Sequence, residues 1–407
     1  MLRFKQYLAE AKEGKNLHLE HLEDEVLNGG INGTRSAINF LQSLRDMLAG
    51  HSKKSVNVTV KWDGAPAVFA GTNPDNGKFF VGTKGVFNKN PKVNYTDADI
   101  DANHSSAGLN AKLKVALKYL PSLGIKEVLQ GDLLFTQDDL STETIDGKSY
   151  ITFTPNTITY AVPKESSDKI KKAKMGIVWP TTYSGKNLQD MRASFGASIS
   201  GLKQTKDVYF ADADYRDTSG TVNFNKAETD GITSVLSLAG KTFQKFNSKF
   251  TKDLMDRKDI VTLIKTFNNV KVREGQKISN TSKHTQELIK YVDVKMQKNI
   301  DSVKTQKTKD AKQKIKDDFI RFLSSNKGSL KIVFDMQNLL ADAKNSIIRK
   351  LEKARGVMDT FIRTDNGYRV TAPEGFVAID QMGDAVKLVD RMEFSRANFN
   401  AAKNWTK

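Results

Sequence analysis

The run Lys61-Trp62-Asp63-Gly64 carries the sharpest chemical grouping in the chain. A lysine becomes a nucleophile once its amine loses its proton, and burial or a nearby cation lowers its pKa toward that state. In SVNVTVKWDGAP, Val56, Val58 and Val60 alternate with Asn57, Thr59 and Lys61, which is the period of a strand with one apolar face. The valines are expected to face a core, which leaves Lys61 on the open side, just before a tight turn. Asp63, two residues on, shares its face while the chain stays extended. Gly64 permits close approach of a ligand or an unusual dihedral. Other groupings are weaker. Gly82-Thr83-Lys84-Gly85 lacks the spacing of a phosphate-binding Walker loop. Asp212, Asp214 and Asp217 read as an acidic loop, Trp179 and Tyr183 as packing aromatics, and Lys171, Lys172 and Lys174 as cations within reach of phosphates. The five histidines, His18, His21, His51, His104 and His284, are too few and too scattered for a multi-histidine metal centre.

Further short motifs follow in order. FFVGTKG places Lys84 after a strand, QGDL places Asp132 after a glycine, and Tyr160 sits in TITYAVP. PEGFV and VKLV, separated by one turn, bring Glu374 and Lys387 onto a late hairpin. In this order the motifs resemble those of the covalent nucleotidyltransferase superfamily: ATP-dependent DNA ligases, RNA ligases and mRNA-capping enzymes. The resemblance covers 61–160 and 373–389 and is silent on 180–360. It implies an antiparallel-rich adenylation domain in which Lys61 bears AMP, with Asp63 and Gly64 completing the nucleotidyl-lysine motif. It implies that Lys84 is the basic residue of the second motif, that Tyr160 stacks on adenine, and that Glu374 handles Mg²⁺. Lys387 would contact the α-phosphate. Asp132 stands where the family usually has Glu and, with Glu374, could hold Mg²⁺, an ion that prefers oxygen ligands. The departures are Ala65-Pro66-Ala67 after the lysine motif, Asp132 itself, and Val389 where a second lysine is common. The stretch after Lys387 is also too short for a C-terminal OB-fold.

The elements that must position these groups read as an α+β chain. Residues 1–50 are predicted to be a helical segment, and 51–229 the first part of a nucleotidyltransferase core. A lysine-rich helical insertion is expected over 230–358, and the final hairpin and tail of the core over 359–407. Residues 51–180 and 367–391 are expected to share one sheet-rich domain, with KWDG turning β-hairpin fashion into AVFAG. The helical block is expected to grip the nucleic acid and to substitute for the missing C-terminal clamp.

Composition narrows the partners. The 407 residues contain no cysteine, which excludes disulfides and thiolate chemistry. No run of eighteen apolar residues predicts a membrane span, and the first residues turn polar too early for a signal peptide. The net charge is +17, of which 241–360 carries +14, favouring polyanionic partners. The expectation is an ATP-dependent ligase that seals 5′-phosphate and 3′-hydroxyl ends of RNA or nicked duplex DNA. The alternative is a nucleic-acid-binding or virion-associated protein that keeps the ligase fold without turnover. The whole chain also resembles proteins of unassigned function from large tailed phages, which implies an infected bacterial cytoplasm and a phage protein partner at the helical block.

Overall fold

In the computed structural model, residues 21–50, 57–195, 197–213, 223–352, 359–364, 367–370, 375–379 and 385–395 are described. The chain enters through α1 (Glu25–Leu48), then β1 (Asn57–Lys61), β2 (Ala67–Thr72) and β3 (Phe79–Gly82). Two helices, α2 (Asp97–Asn103) and α3 (Ala107–Tyr119), lead to β4 (Val128–Thr136), β5 (Ser141–Ile145), β6 (Lys148–Phe153) and β7 (Ile158–Pro163). The short α4 (Asp168–Lys172) precedes β8 (Met175–Ser184), β9 (Arg192–Phe195) and β10 (Val208–Asp212). The helical block comprises α5 (Lys226–Phe243), α6 (Ser248–Asp256), α7 (Lys258–Arg273), α8 (Thr281–Asp301), α9 (Gln306–Ser325) and α10 (Lys327–Leu351). Strands return as β11 (Asp359–Thr364), β12 (Gly367–Val370), β13 (Gly375–Ile379) and β14 (Ala385–Leu388). The protein is therefore α+β with mostly antiparallel sheets, as the sequence predicts.

The strands form three sheets. A six-stranded sheet runs β10-β8-β4-β2-β3, with β9 added to β8; only β8 and β10 are parallel. A five-stranded antiparallel sheet runs β12-β11-β7-β6-β5, and a three-stranded one runs β1-β13-β14. Strands after the helical block thus pair with strands before it: β11 with β7, and β13 with β1. The predicted β1–β2 hairpin does not form. The segment DGAP instead carries the chain from the three-stranded sheet into the six-stranded one, and Ala65 N–H donates to the Leu133 carbonyl at 2.9 Å. The first strand uses its edge on β13 because its valine face must lie on the helices, whereas β2 packs elsewhere.

Apolar surface is shared in a way that the sequence boundaries do not follow. Val58 and Val60 of β1, Phe376 of β13 and Val386 and Leu388 of β14 pack on the helices. The same core holds Leu27, Leu41 and Leu44 of α1 and Leu330, Phe334, Leu340 and Ile347 of α10, which recur at helical spacing. Residues from both sides of 50, 229 and 358 therefore contribute to one core, which the helices share with α1 and the three-stranded sheet. A second core lies between the six-stranded sheet and α3, with Leu113, Ala116, Leu133, Ile177 and Trp179. A third lies between the other face of that sheet and the five-stranded sheet, with Phe135, Phe153, Tyr160, Val178 and Val389. Gly30 forms a kink inside α1: it takes φ +51°, and a Cβ there would sit 2.5 Å from Met255 Sδ on α6.

Candidate functional site

Lys61 ends β1, and its partner across the ladder is Gly375; Thr59 faces Val377, which faces Lys387 on β14. Directly opposed residues in an antiparallel pair share a face, and so do residues two apart. Lys61 and Lys387 therefore stand on one face of the three-stranded sheet, opposite to the valine face, two strands apart at ~4.8 Å per strand. That face turns toward the third core, where Val389 is fully buried. Gly375 has φ +148°, and a Cβ on it would meet the Leu388 carbonyl at 2.4 Å, so the tight pairing at this end of the sheet requires glycine.

The turn after Lys61 is fixed by Asp63. Its side chain is 3% exposed and accepts three hydrogen bonds: from Asn156 Nδ2 at 2.8 Å, Thr157 N–H at 2.7 Å and Ile158 N–H at 2.8 Å. The Asp63 N–H donates to the Tyr160 hydroxyl at 2.8 Å. The Asp63 carboxylate thus anchors the KWDG segment to the β6–β7 connection and positions Lys61. Gly64 sits against β4, where an added Cβ would lie 2.7 Å from Asp132 Cβ. Asp132 pairs with Ala67 and Val178 and so points to the same side as Val178, toward the turn.

Tyr160 is buried. The ring expected to stack on adenine is 3% exposed, lies 5.2 Å from the Trp62 ring and stacks at 5.5 Å on Phe153. With both rings against it and almost no exposure, Tyr160 in this conformation is packing and an anchor for the turn rather than an open platform. Lys84 opens a short 3₁₀ turn after β3 and is exposed. Gly82 pairs with Phe69 and Ala67 with Asp132, so Lys84 lies at the same end of the sheet as Asp132 but two strands away. Glu374 lies outside the described residues, as do Asp214 and Asp217. Asp212, read as a loop acid, is the last residue of β10. Trp179 is fully buried and Tyr183 nearly so, in keeping with packing roles.

The sequence passed over His21. It forms a parallel β-bridge with Lys387, extending the three-stranded sheet by one residue and joining the row Lys387–Val377–Thr59. Its imidazole is held neutral, with a pKa well below the usual range, chiefly by burial and then by Arg391, Lys344, Lys387 and Lys61. Next to it, Lys344 of α10 is 1% exposed and binds both Glu23 carboxylate oxygens, at 2.9 and 2.8 Å; Arg391 pairs with Asp24. Burial would push the Glu23 carboxyl up, but Lys344 and Arg391 outweigh it and hold it low. Glu23, Lys344 and Arg391 also wall a cavity of about 400 Å³ between α7 and α10; Lys61, Asp132, Tyr160 and Lys387 do not line it. Among the described residues no three His, Asp or Glu side chains converge as a metal site. No helix among them is long and apolar enough to cross a membrane.

The arrangement defines an α+β protein with a strand-end lysine, a second lysine on the same sheet face and a glycine-backed carboxylate nearby. The chain belongs to the family described as "Family of unknown function (DUF6267)", whose model matches residues 16–403. No curated protein and no solved structure matches it.

Proposed function

We propose that the protein is an ATP-dependent polynucleotide ligase that works through a lysyl-AMP intermediate on Lys61. The observation that carries this reading is the ladder register that places Lys61 and Lys387 on one face of the three-stranded sheet. In this reading the neutral Lys61 amine attacks the α-phosphorus of ATP. A P–N bond forms, the bond to the bridging oxygen breaks, and pyrophosphate leaves in line. Lys387 stabilises the charge on the α-phosphate and disfavours the protonated state of Lys61. Asp63 holds the turn, so that the lysine is placed before the reaction begins. Asp132 is the described carboxylate suited to Mg²⁺, which would offset charge on the phosphates when bound. The adenylyl group then passes to a 5′-phosphate of RNA or nicked duplex DNA, and a 3′-hydroxyl displaces AMP. The cationic helical surface would hold that substrate by its backbone.

Burial of Tyr160 favours a second reading, a nucleic-acid-binding protein of the same fold without turnover. Incubation with α-labelled ATP or GTP and Mg²⁺, followed by denaturing electrophoresis, separates the two. Ligase chemistry gives a labelled band that is lost in Lys61→Ala. A natively folded wild-type chain that takes no label from either nucleotide supports the second reading. A band that survives Lys61→Ala removes Lys61 from the reaction. Host cytoplasm and a phage protein partner remain part of the proposal, resting on the resemblance alone.

A further inference from the structure

The cavity between α7 and α10 has no part in the Lys61 chemistry. Its volume of about 400 Å³ falls within the range of about 300–1,000 Å³ of small-molecule sites. Its walls are braced from behind. Asn338 Nδ2 donates to the Ile278 carbonyl at 2.7 Å and pins the link after α7 to α10; the buried Lys344–Glu23 pair holds the entry segment against the same helix. Most of the charge in the walls is taken up within the protein. Lys344 is bound by Glu23, Arg391 by Asp24, and Lys271 by Glu287 at 3.1 Å. Asp390 accepts from the Met392 N–H at 2.8 Å. Lys277 and Asp342 line the cavity without an ion pair among the described residues. One cation and one carboxylate do not match the several charges of a polyphosphate or a polyamine. They suit an uncharged polar ligand.

The hydrogen-bonding groups narrow the class. With its nitrogen on the Ile278 carbonyl, Asn338 keeps Oδ1 as an acceptor. Gln276 Oε1 accepts from Lys271 Nζ at 3.1 Å, so its Nε2 is kept as a donor. Carboxamides of this kind pair with the edge of a nucleobase. Val272, Ile278, Ala341 and Met392 supply apolar surface for a flat ring. A carboxylate such as Asp342 accepts from ribose hydroxyls. We propose that the cavity binds a nucleoside. Gln276 and Asn338 take the edge of the base, the aliphatic side chains its face, and Asp342 the ribose 2′- and 3′-hydroxyls. The site is separate from Lys61 and does not rest on the ligase reading. The nucleoside has two sources, the free molecule and the terminal unit of a polynucleotide.

The test is calorimetry on the full chain with adenosine, guanosine, cytidine and uridine, without Mg²⁺ or nucleoside triphosphate, and with ribose alone as a control. At least one ribonucleoside should bind, and ribose should not. The 2′-deoxy form of that nucleoside should bind about tenfold weaker, the size of one hydrogen bond to a charged group. Asp342→Ala should weaken the ribonucleoside to the level of the deoxynucleoside and leave the latter unchanged, which a merely structural role for Asp342 would not give. Ala341→Phe fills the cavity and should abolish binding, with its folding checked by urea denaturation. Lys61→Ala should bind as the wild type does, so failure of the ligase reading leaves this site untouched. Binding of the matching dinucleoside monophosphate at least as tight as that of the nucleoside assigns the site to a polynucleotide end; its exclusion assigns the site to the free nucleoside. Binding of none of the four, equal binding of ribose, or binding that is lost in Lys61→Ala and survives Ala341→Phe overturns the proposal. An equal loss of both sugar forms in Asp342→Ala overturns the role of Asp342.

Discussion

Asp63 accepts hydrogen bonds from two backbone N–H groups and one amide at the β6–β7 connection, half-buried at Asn156 and Thr157 and buried at Ile158. Removing the carboxylate leaves those donors without a partner, at about 1–3 kcal/mol each. Asp63→Ala should therefore lower the unfolding free energy by about 3 kcal/mol, read from urea denaturation. Any loss of labelling in that variant would follow from a displaced Lys61. His284 offers a test of pH dependence. It is buried in the helical core with Nε2 2.9 Å from Asn268 Oδ1, and burial, then Lys271, brings its pKa down to about 4 against a weaker pull from Glu287. The unfolded chain takes up this proton near pH 6.5, but the folded one only near 4. The stability due to neutral His284 is thus complete above pH 6.5 and is lost as the pH falls toward 4. Glu352, pushed up to about 7 by burial, then by Glu393 and Asp390, acts in the opposite sense over much of this window. The measurement is accordingly a comparison: between pH 7 and pH 5 the urea midpoint should fall further in the wild type than in His284→Gln.

At the scale of elements, the entry segment before α1 is tied to α10 by the ion pair of Glu23 and Lys344, both nearly sealed from solvent. A buried pair adds little stability in itself, but breaking it strands a charge, at about 3–5 kcal/mol. Lys344→Met should cost that much, and the double variant Glu23→Gln with Lys344→Met should recover most of it. Equilibrium unfolding of the three variants would complete the cycle. Full additivity of the two single changes would mean that the pair does not hold the segment. This element matters for the site because it presents His21 to the edge of β14. The sequence made the strands around the site readable through their valine alternation. It did not make the role of 21–24 readable, because Glu23, Asp24 and Glu25 look like a solvated helix start and become buried only when α10 and Arg391 close over them.

For the whole molecule, the helices share a core with α1 and the three-stranded sheet. Excising 230–358 behind a linker would therefore expose that core and unseat the sheet that carries Lys61 and Lys387. The cationic surface must be tested by charge reversal. Lys307, Lys314 and Arg321 recur every seven residues along α9, all exposed, and form one stripe. Changing the three to Glu should leave folding intact and weaken binding of nicked duplex. The slope of log affinity against log salt should fall by about 0.9 for each lost phosphate contact. Unaltered affinity and slope would move the nucleic-acid face elsewhere on the molecule.

The sequence by itself determined the local elements: the alternation of β1, the hairpins β6–β7 and β13–β14, and the helical periodicity of the block. These depend on side-chain period and on backbone preferences that operate within a few residues. The motif lysines were legible for the same reason. The tertiary structure alone decided which strands pair, because edges separated by over 300 residues in sequence, such as β1 and β13, are chosen by the apolar faces they must bury. It also decided that Tyr160 packs rather than lies open, and that Asp63 holds a turn. Local pattern cannot distinguish a polar or aromatic side chain facing solvent from one sealed by a distant segment; that depends on where the rest of the chain closes.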